Sequence, residues 1–366
     1  RPSEPGQIPV VGSSGVFAWT AKPLIDFATV VIGRKGSAGE IHYMGMPCWP
    51  SDTSFYLEWT TALEPQFIAA WLLIDKFSGK HAQTTMPSLL RQDVEEKCVP
   101  FPPLPEQRRI AAVLNTIMDA IAAQEDVIAA AKEFKRSLMH RLFTVGPGRE
   151  PAPTKETEIG EIPAHWEVAK LGDLASISTG TTPSTVKADY YVGTNPYIKT
   201  ASITNGRITK ANDFISDEAV RDYNLKVYPP GTILMAMYGQ GKTRGQTALT
   251  AIPVSITQNA AAIVPGDELV PECLWQYLVS QYDRLRNSGI EGHISHLNLG
   301  YVKEILIPRP DIAEQNYIAE MVESSDAKIA AEEDRLTALQ ALFKSMLHQL
   351  MTGQIRLLSD EGLPLA

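Results

Sequence analysis

The sequence predicts an α+β chain: two mixed, strand-rich domains joined by two long antiparallel helices that form a coiled coil. Three observations carry this. A segment beginning at Pro100 recurs at Pro308 without a gap, an offset of 208 positions. Within each copy, apolar residues recur at spacings of four and three with no interrupting proline, the pattern of one narrow helical stripe. Ahead of each copy lie short apolar runs bounded by glycine-rich stretches, the pattern of strands and turns.

The elements follow in chain order. Residues 1–99 make a first domain, in which "VVIGRKGSAGEIHY" reads as a strand, a basic glycine-rich loop and a second strand, followed by "WPSDTSFYLE". Residues 100–144 make the first long helix, with Ile110, Leu114, Ile117, Ile121, Ile128, Ala131, Leu138 and Leu142 on one stripe. Some 38 residues at ~1.5 Å each give a rod of about 57 Å. Residues 145–163, rich in Pro, Gly and Glu, read as a linker. Residues 164–307 make a second domain, where "ILMAMYGQGKTRGQTAL", "SITQNAAAIVP" and "GHISHLNLGYVKEILIPRP" repeat the first domain's order. It opens on "WEVAKLGDLASISTGTTPSTVKADYYVGTNPYIKT", of which roughly thirty residues have no counterpart in the first half. The first domain is therefore expected to lack its opening piece.

Residues 308–352 make the second long helix, with Ile318, Val322, Ile329, Leu336, Leu339, Phe343, Met346 and Leu350 on its stripe, and residues 353–366 make a tail. Glu106-Gln107 matches Glu314-Gln315, and Ser137, His140, Leu142 and Thr144 match Ser345, His348, Leu350 and Thr352. Either the two stripes cover each other or each helix packs on its own domain alone. Gln124, Ser325 and Glu332 interrupt the stripes, and such polar positions can fix register.

Composition excludes several classes. No apolar run approaches the ~18 residues of a membrane span, and the N-terminus is neither a signal nor a transit peptide. The 3 cysteines are scattered and lack C-x-x-C spacing, so neither zinc nor a disulfide framework is expected, and a reducing cytoplasm is the expected setting. Net charge is −9, but the acids are concentrated: residues 311–366 carry ten acids against four bases, while residues 223–266 carry no acid at all. Between Asp26 and Glu40 the only charges are Arg34 and Lys35. Such acid-free windows are either apolar strands or anion-facing surfaces.

"GTILMAMYGQGKTRGQTALTAIP" raises a nucleotide-binding alternative, because Gly241, Lys242 and Thr243 fit the end of a P-loop. Ala236 stands where its first glycine belongs, and Gly245 and Pro253 oppose the required helix. Pro229-Pro230 lacks the preceding Asn of an adenine methyltransferase motif, and neither G-x-S-x-G nor H-E-x-x-H occurs. No catalytic residue, metal or cofactor of the chain's own is expected.

"PLPEQRRIAAVLNTIMDAI…LMHRLFTVG" and "AEQNYIAEMVESSDAKI…LMTGQ" resemble the paired spacer helices of the specificity subunit of type I restriction-modification enzymes. "GEIPAHWEVAKLGDLASISTGTTP" resembles the opening of that family's target-recognition domains, and the resemblance covers nearly the whole chain. It implies a non-catalytic subunit whose two domains each read one half of a bipartite double-stranded DNA target, with the helices setting the gap. It implies two methylation subunits, which use S-adenosylmethionine, and a restriction subunit as partners. A scaffold without sequence-selective DNA binding is the remaining alternative.

In that setting the glycine loops become candidate DNA contacts: Tyr238, Gln240, Lys242, Arg244 and Gln246 in the second domain, Arg34, Lys35 and Ser37 in the first. Lysine suits phosphates, arginine suits phosphates or guanine edges, and glutamine suits adenine. Gln258 and Asn259 are weaker candidates that could instead satisfy backbone. His293 and His296 suit a loop or phosphate role better than a metal. A hairpin turn with solvated bases is the alternative for each residue.

Overall fold

The computed structural model describes residues 5–74, 77, 88–148, 150, 153–239, 242–287 and 297–357. The chain divides into two compact units, one of Arg1–Val127 with Glu332–Ala366 and one of Ile128–Ala331. The long helices, Leu104–Thr144 and Ile312–Met351, each contribute to both.

In the second unit the main sheet runs in the order Ala175–Thr179, Ala260–Pro265, Ile233–Ala236, Thr247–Thr250, Arg207–Ile208. Its central strand, Ile-Leu-Met-Ala, is buried on both faces, which explains a continuous rather than alternating apolar run. Ile233 and Met235 join Leu274 and Leu278 in one core, while Leu234 and Ala236 join Ile198 and Ile256 in another. A second sheet is ordered Asp213–Ile215, Asn195–Ile198, Ser255–Ile256.

The first unit repeats this in reduced form. Its sheet has Ile41–Met44, Thr29–Gly33 and Ser54–Tyr56, with Thr29–Gly33 central and wholly buried. Val30 and Ile32 face Phe67 and Leu72, while Val31 faces Val11 and Cys48. Ile8–Gly12 runs parallel to Trp49–Pro50 as Asn195–Ile198 runs parallel to Ser255–Ile256.

The matched Glu-Gln pairs have a structural role. Gln315 is buried; its Oε1 accepts from the Val270 N–H at 2.7 Å, and its Nε2 donates to the carbonyls of Glu268 and Pro310, both at 2.9 Å. Gln107, 208 positions earlier, accepts from the Glu64 N–H at 2.9 Å and donates to the Pro102 carbonyl at 2.8 Å. Glu64 and Val270 each immediately precede a proline that starts a helix, Pro65–Ile74 and Pro271–Ser280. Each glutamine thus holds a short helix of its unit to the start of a long one. The adjoining carboxylates take different partners. Glu106 accepts from Arg356 at 2.7 and 2.8 Å, and Glu314 accepts from His165 and from Trp166 Nε1.

The seam residues of both long helices are buried or half-buried between exposed neighbours. In the first unit Ile110 and Leu114 pack with Leu347, Leu350 and Met351. In the second, Met139, Leu142 and Phe143 pack with Ile318, Ala319 and Val322. In each unit, one helix's early turns meet the other's last turns, so the pair is antiparallel and the stripes cover each other. Each buried Leu or Ile contributes roughly 1.5–3 kcal/mol. Gln124, an interruption of the stripe, donates to the Glu332 carboxylate at 2.7 Å and carbonyl at 3.1 Å across 208 positions. Lys135 pairs with Asp326 at 2.6 Å.

Within the stretch read as a linker, Thr154–Thr157 and Gly160–Pro163 form a hairpin. Gly160 at φ 98° makes the turn between the two strands, and Ile162 and the nearby Trp166 bury against the second unit's core. No described helix is long and apolar enough to cross a membrane.

Candidate nucleic-acid interface

The glycine loop of the second unit lies where the strands Ile233–Ala236 and Thr247–Thr250 join. The Ala236 N–H donates to the Gln246 carbonyl and the Gly245 N–H returns to the Ala236 carbonyl, both at 2.9 Å. Gly245 sits at φ 82°, open only to a residue without Cβ strain, and a Cβ there would press on the Arg286 backbone at 3.2 Å. A strand follows the Gly-Lys-Thr triplet, not a helix. The phosphate cradle of a P-loop therefore has no helix N-terminus, and the nucleotide-hydrolase alternative fails on geometry.

Two side chains pin this loop from the helix Tyr282–Asn287. The Tyr282 hydroxyl donates to the Lys242 carbonyl at 2.5 Å, and Arg286 Nη1 donates to that hydroxyl at 3.1 Å. Arg244 Nη2 donates to the Arg286 carbonyl at 2.7 Å, so one edge of its guanidinium anchors the loop. Lys242 and Tyr238 are exposed, while Arg244 and Gln246 are half-buried. Gln240, His293 and His296 lie outside the described residues.

The neighbouring turn supports the loop through main-chain atoms. The Met237 N–H donates to the Asn259 carbonyl at 3.0 Å. The Gln258 carbonyl accepts from Thr179 Oγ1 at 2.7 Å and its N–H donates to Thr182 Oγ1 at 3.3 Å. On the Gln258 and Asn259 side these contacts use backbone; the Gln258 side chain is exposed and the Asn259 side chain half-buried.

The first unit builds the same corner. The Arg34 and Lys35 N–H groups donate to the Thr53 carbonyl at 2.9 and 3.2 Å, and the Arg34 carbonyl accepts from Leu89 N–H at 2.8 Å. Met237 likewise accepts from Leu297, 208 positions beyond Leu89. Strand register pairs Gly33 with Ser54 and Ala236 with Ala260, so Lys35 corresponds to Tyr238 rather than to Lys242. Arg34, Lys35 and Ser37 are exposed, and the Arg34 guanidinium lies 5.4 Å from the Phe55 ring centroid. Gly36 and Gly39, at φ 79° and 84°, turn the loop.

Thr53, Tyr282 and Arg286 were not singled out from sequence. Tyr282 and Arg286 stand four apart on one helix face, a visible spacing, but nothing local shows that it meets a loop forty residues earlier. No metal-holding group of His, Cys, Asp or Glu occurs among the described residues.

Comparison with known proteins places this architecture. The family described as Type I restriction modification DNA specificity domain matches residues 2–133 and 163–341. The type I restriction enzyme MjaIX specificity subunit of Methanocaldococcus jannaschii is 31% identical over 179 residues, 47% of this chain but only 40% of that protein. The MjaVIII specificity subunit of the same organism is 26% identical over 331 residues, 87% of this chain and 77% of that protein. The S subunit of a type I restriction-modification system from M. genitalium shares the fold, with a TM-score of 0.63 at 16% identity over 96% of this chain and 90% of that one. A chain solved in work on complex assembly and conformational transition of the type I R-M system gives 0.60 at 18% identity, over 96% of this chain and 93% of its own. With a duplicated strand corner, a duplicated long helix and matches across both halves, this chain belongs to the type I restriction-modification DNA specificity family.

Proposed function

We propose that the chain is a non-catalytic subunit that reads a bipartite double-stranded DNA target, one half-site per unit, with the antiparallel helices setting the unspecified gap. The observation that carries this is the duplication of both parts at one offset: the same loop-and-turn corner recurs in each unit, and each unit is held to the start of a long helix by the matching buried glutamine. Two similar readers joined by helices of fixed length suit a regular polymer whose half-sites recur about every 34–36 Å on one face. Two methylation subunits and a restriction subunit are the proposed partners, and the cytoplasm the proposed setting.

At the corner of the second unit, exposed Lys242 serves phosphate, and Arg244, Gln246 and Tyr238 line the approach to base edges, with Gln258 and Asn259 beside them. Arg34, Lys35 and Ser37 serve the first unit. Gln240, His293 and His296 remain proposed contacts on sequence grounds. The test is selection from randomised DNA by the chain assembled with methylation subunits. Removing one heptad from each long helix should change the gap and leave both half-sites intact. An altered half-site with an unchanged gap refutes the assignment, and absence of any sequence preference favours a scaffold.

A further inference from the structure

The second unit carries a longer connection where the first has a tight turn. Ile8–Gly12 turns back into Gly15–Thr20 through Ser13 and Ser14 alone, with Gly12 paired to Gly15. Asn195–Ile198 also turns back, into Asp213–Ile215, but residues 199–212 lie between. Both connections start at the corner. The Ile198 carbonyl accepts from the Thr257 N–H at 3.1 Å, as the Val11 carbonyl accepts from the Ser51 N–H at 2.8 Å. The longer one then arches across. Asn205 Oδ1 accepts from the Thr247 N–H at 2.8 Å, one residue past Gln246. Asn205 sits at φ 55°, which asparagine tolerates better than most residues. Arg207–Ile208 next pairs with Thr247–Thr250, and Arg207 binds Glu323 at 3.0 Å. Ile203 and Ile208 are buried in the core beneath. Backbone and apolar side chains thus fix the arc, while Lys199, Thr204 and Asn212 stay exposed. Polar side chains held out on a rigid frame are the form of a recognition loop.

Lys199 does not stand alone at this end. Its ammonium meets the Asp213 carboxylate at 2.5 Å and lies 5.8 Å from the Tyr191 ring centroid. The pair opens on a cleft of about 590 Å³ that also holds Thr182, Asn212 and Thr257. Thr182 Oγ1 accepts from the Gln258 N–H, so the cleft is continuous with the corner. The sequence marks the same place: residues 190–212 carry Lys199, Arg207 and Lys210 and no acid, and Asp213 is the first carboxylate beyond them. A lysine by itself would suit phosphate, but a carboxylate in contact with it repels phosphate. A donor and an acceptor held side by side suit a base edge instead. The major-groove edge of a G·C pair presents guanine N7 and O6, acceptors for lysine, next to cytosine N4, a donor for aspartate.

We propose that the Lys199–Asp213 pair reads one G·C base pair of the second unit's half-site, a contact for which the Ser13-Ser14 turn of the first unit has no counterpart. This rests on the DNA-reading function proposed for the chain. Lys199 donates to guanine and Asp213 accepts from cytosine. Asn205 is a positioning residue that ties the arc to the strand beside Gln246.

The test is selection from randomised DNA by the chain assembled with methylation subunits, for wild type, Lys199→Ala and Asp213→Ala. An exposed ion pair contributes little to stability, so both variants should fold and assemble. Wild type should select G·C at one position of the second unit's half-site where each variant accepts other pairs. Discrimination there should fall roughly tenfold, with the first unit's half-site and the gap unchanged. Titration against a target carrying 7-deazaguanine at that position isolates the contact: loss of N7 should weaken wild type and leave Lys199→Ala unaffected. Equal weakening on all sequences would make Lys199 a phosphate contact and overturn the proposal. Variants that select like wild type, or an A·T pair at the relaxed position, overturn it too. If wild type selects no sequence at all, the DNA-reading function itself fails and this proposal with it.

Discussion

Gln315 offers the sharpest test of how a unit is held to the start of a long helix. Replacing it with Leu keeps its bulk but removes three hydrogen bonds, from the Val270 N–H and to the Glu268 and Pro310 carbonyls. The side chain is 2% exposed, so water does not replace them. At about 1–3 kcal/mol per buried group left without a partner, and with carbonyls tolerating it better than N–H groups, the loss should be roughly 3–5 kcal/mol. Gln107→Leu removes two such bonds and should cost about 2–4 kcal/mol. Denaturant unfolding of the full chain measures the sum, and exchange of the Val270 amide locates it. Gln315→Glu tests the same contacts through pH: its carboxylate cannot donate to the two carbonyls at neutral pH, and its protonated form regains one donor. That variant should therefore gain stability relative to wild type as pH falls. A Gln315→Leu cost below 1 kcal/mol, with Val270 exchange unchanged, would refute the reasoning.

Four further outcomes follow from the same contacts. Lys242→Ala should weaken binding to all DNA sequences alike and flatten the salt dependence by about one ion, measured by titration at two salt concentrations. Arg244→Lys keeps the charge but loses the planar fork, and should relax one base position in the second unit's half-site by roughly 1–3 kcal/mol. Unchanged preference would leave Arg244 only as the anchor on Arg286. Arg356 holds the Glu106 carboxyl below its ordinary value by hydrogen bonding, so this stabilisation is present at neutral pH and lost as pH falls through the lowered value. Arg356→Ala should destabilise the chain at pH 7 and change little once Glu106 is protonated in both states, by unfolding across pH. Cysteines at facing seam positions, such as Leu114 and Phe343, should cross-link within one chain. Exclusively intermolecular products would contradict the antiparallel pair.

Much of this was legible in sequence because duplication makes one signal twice. The heptad stripes named the buried seam because a narrow apolar face on a polar helix has few other uses, and the strand-loop-strand order placed both glycine corners. The Glu106-Gln107 and Glu314-Gln315 match was visible, but its purpose was not: each glutamine acts on a backbone N–H some forty residues earlier, which no periodicity reports. The Tyr282 and Arg286 clamp was illegible for the same reason. The hairpin in residues 145–163 escaped because its strands are mostly polar, carrying little apolar alternation. The equation of Lys35 with Tyr238 needed strand register, since the second loop is longer than the first.

The meeting of Gln124 with Glu332 bears on how chains sort during assembly. The two residues occupy the same place in the two copies, so any helix pairing of this antiparallel kind brings that place against itself. Within one chain it yields an amide donating to a carboxylate. Two second helices from different molecules would set Glu332 against Glu332, a like-charge encounter in a half-buried seam, and two first helices would set Gln124 against Gln124 without charge assistance. A repeat that had stayed identical would not distinguish its sibling from a stranger. One divergent position at the centre gives each helix a reason to choose the mate carried on its own polypeptide.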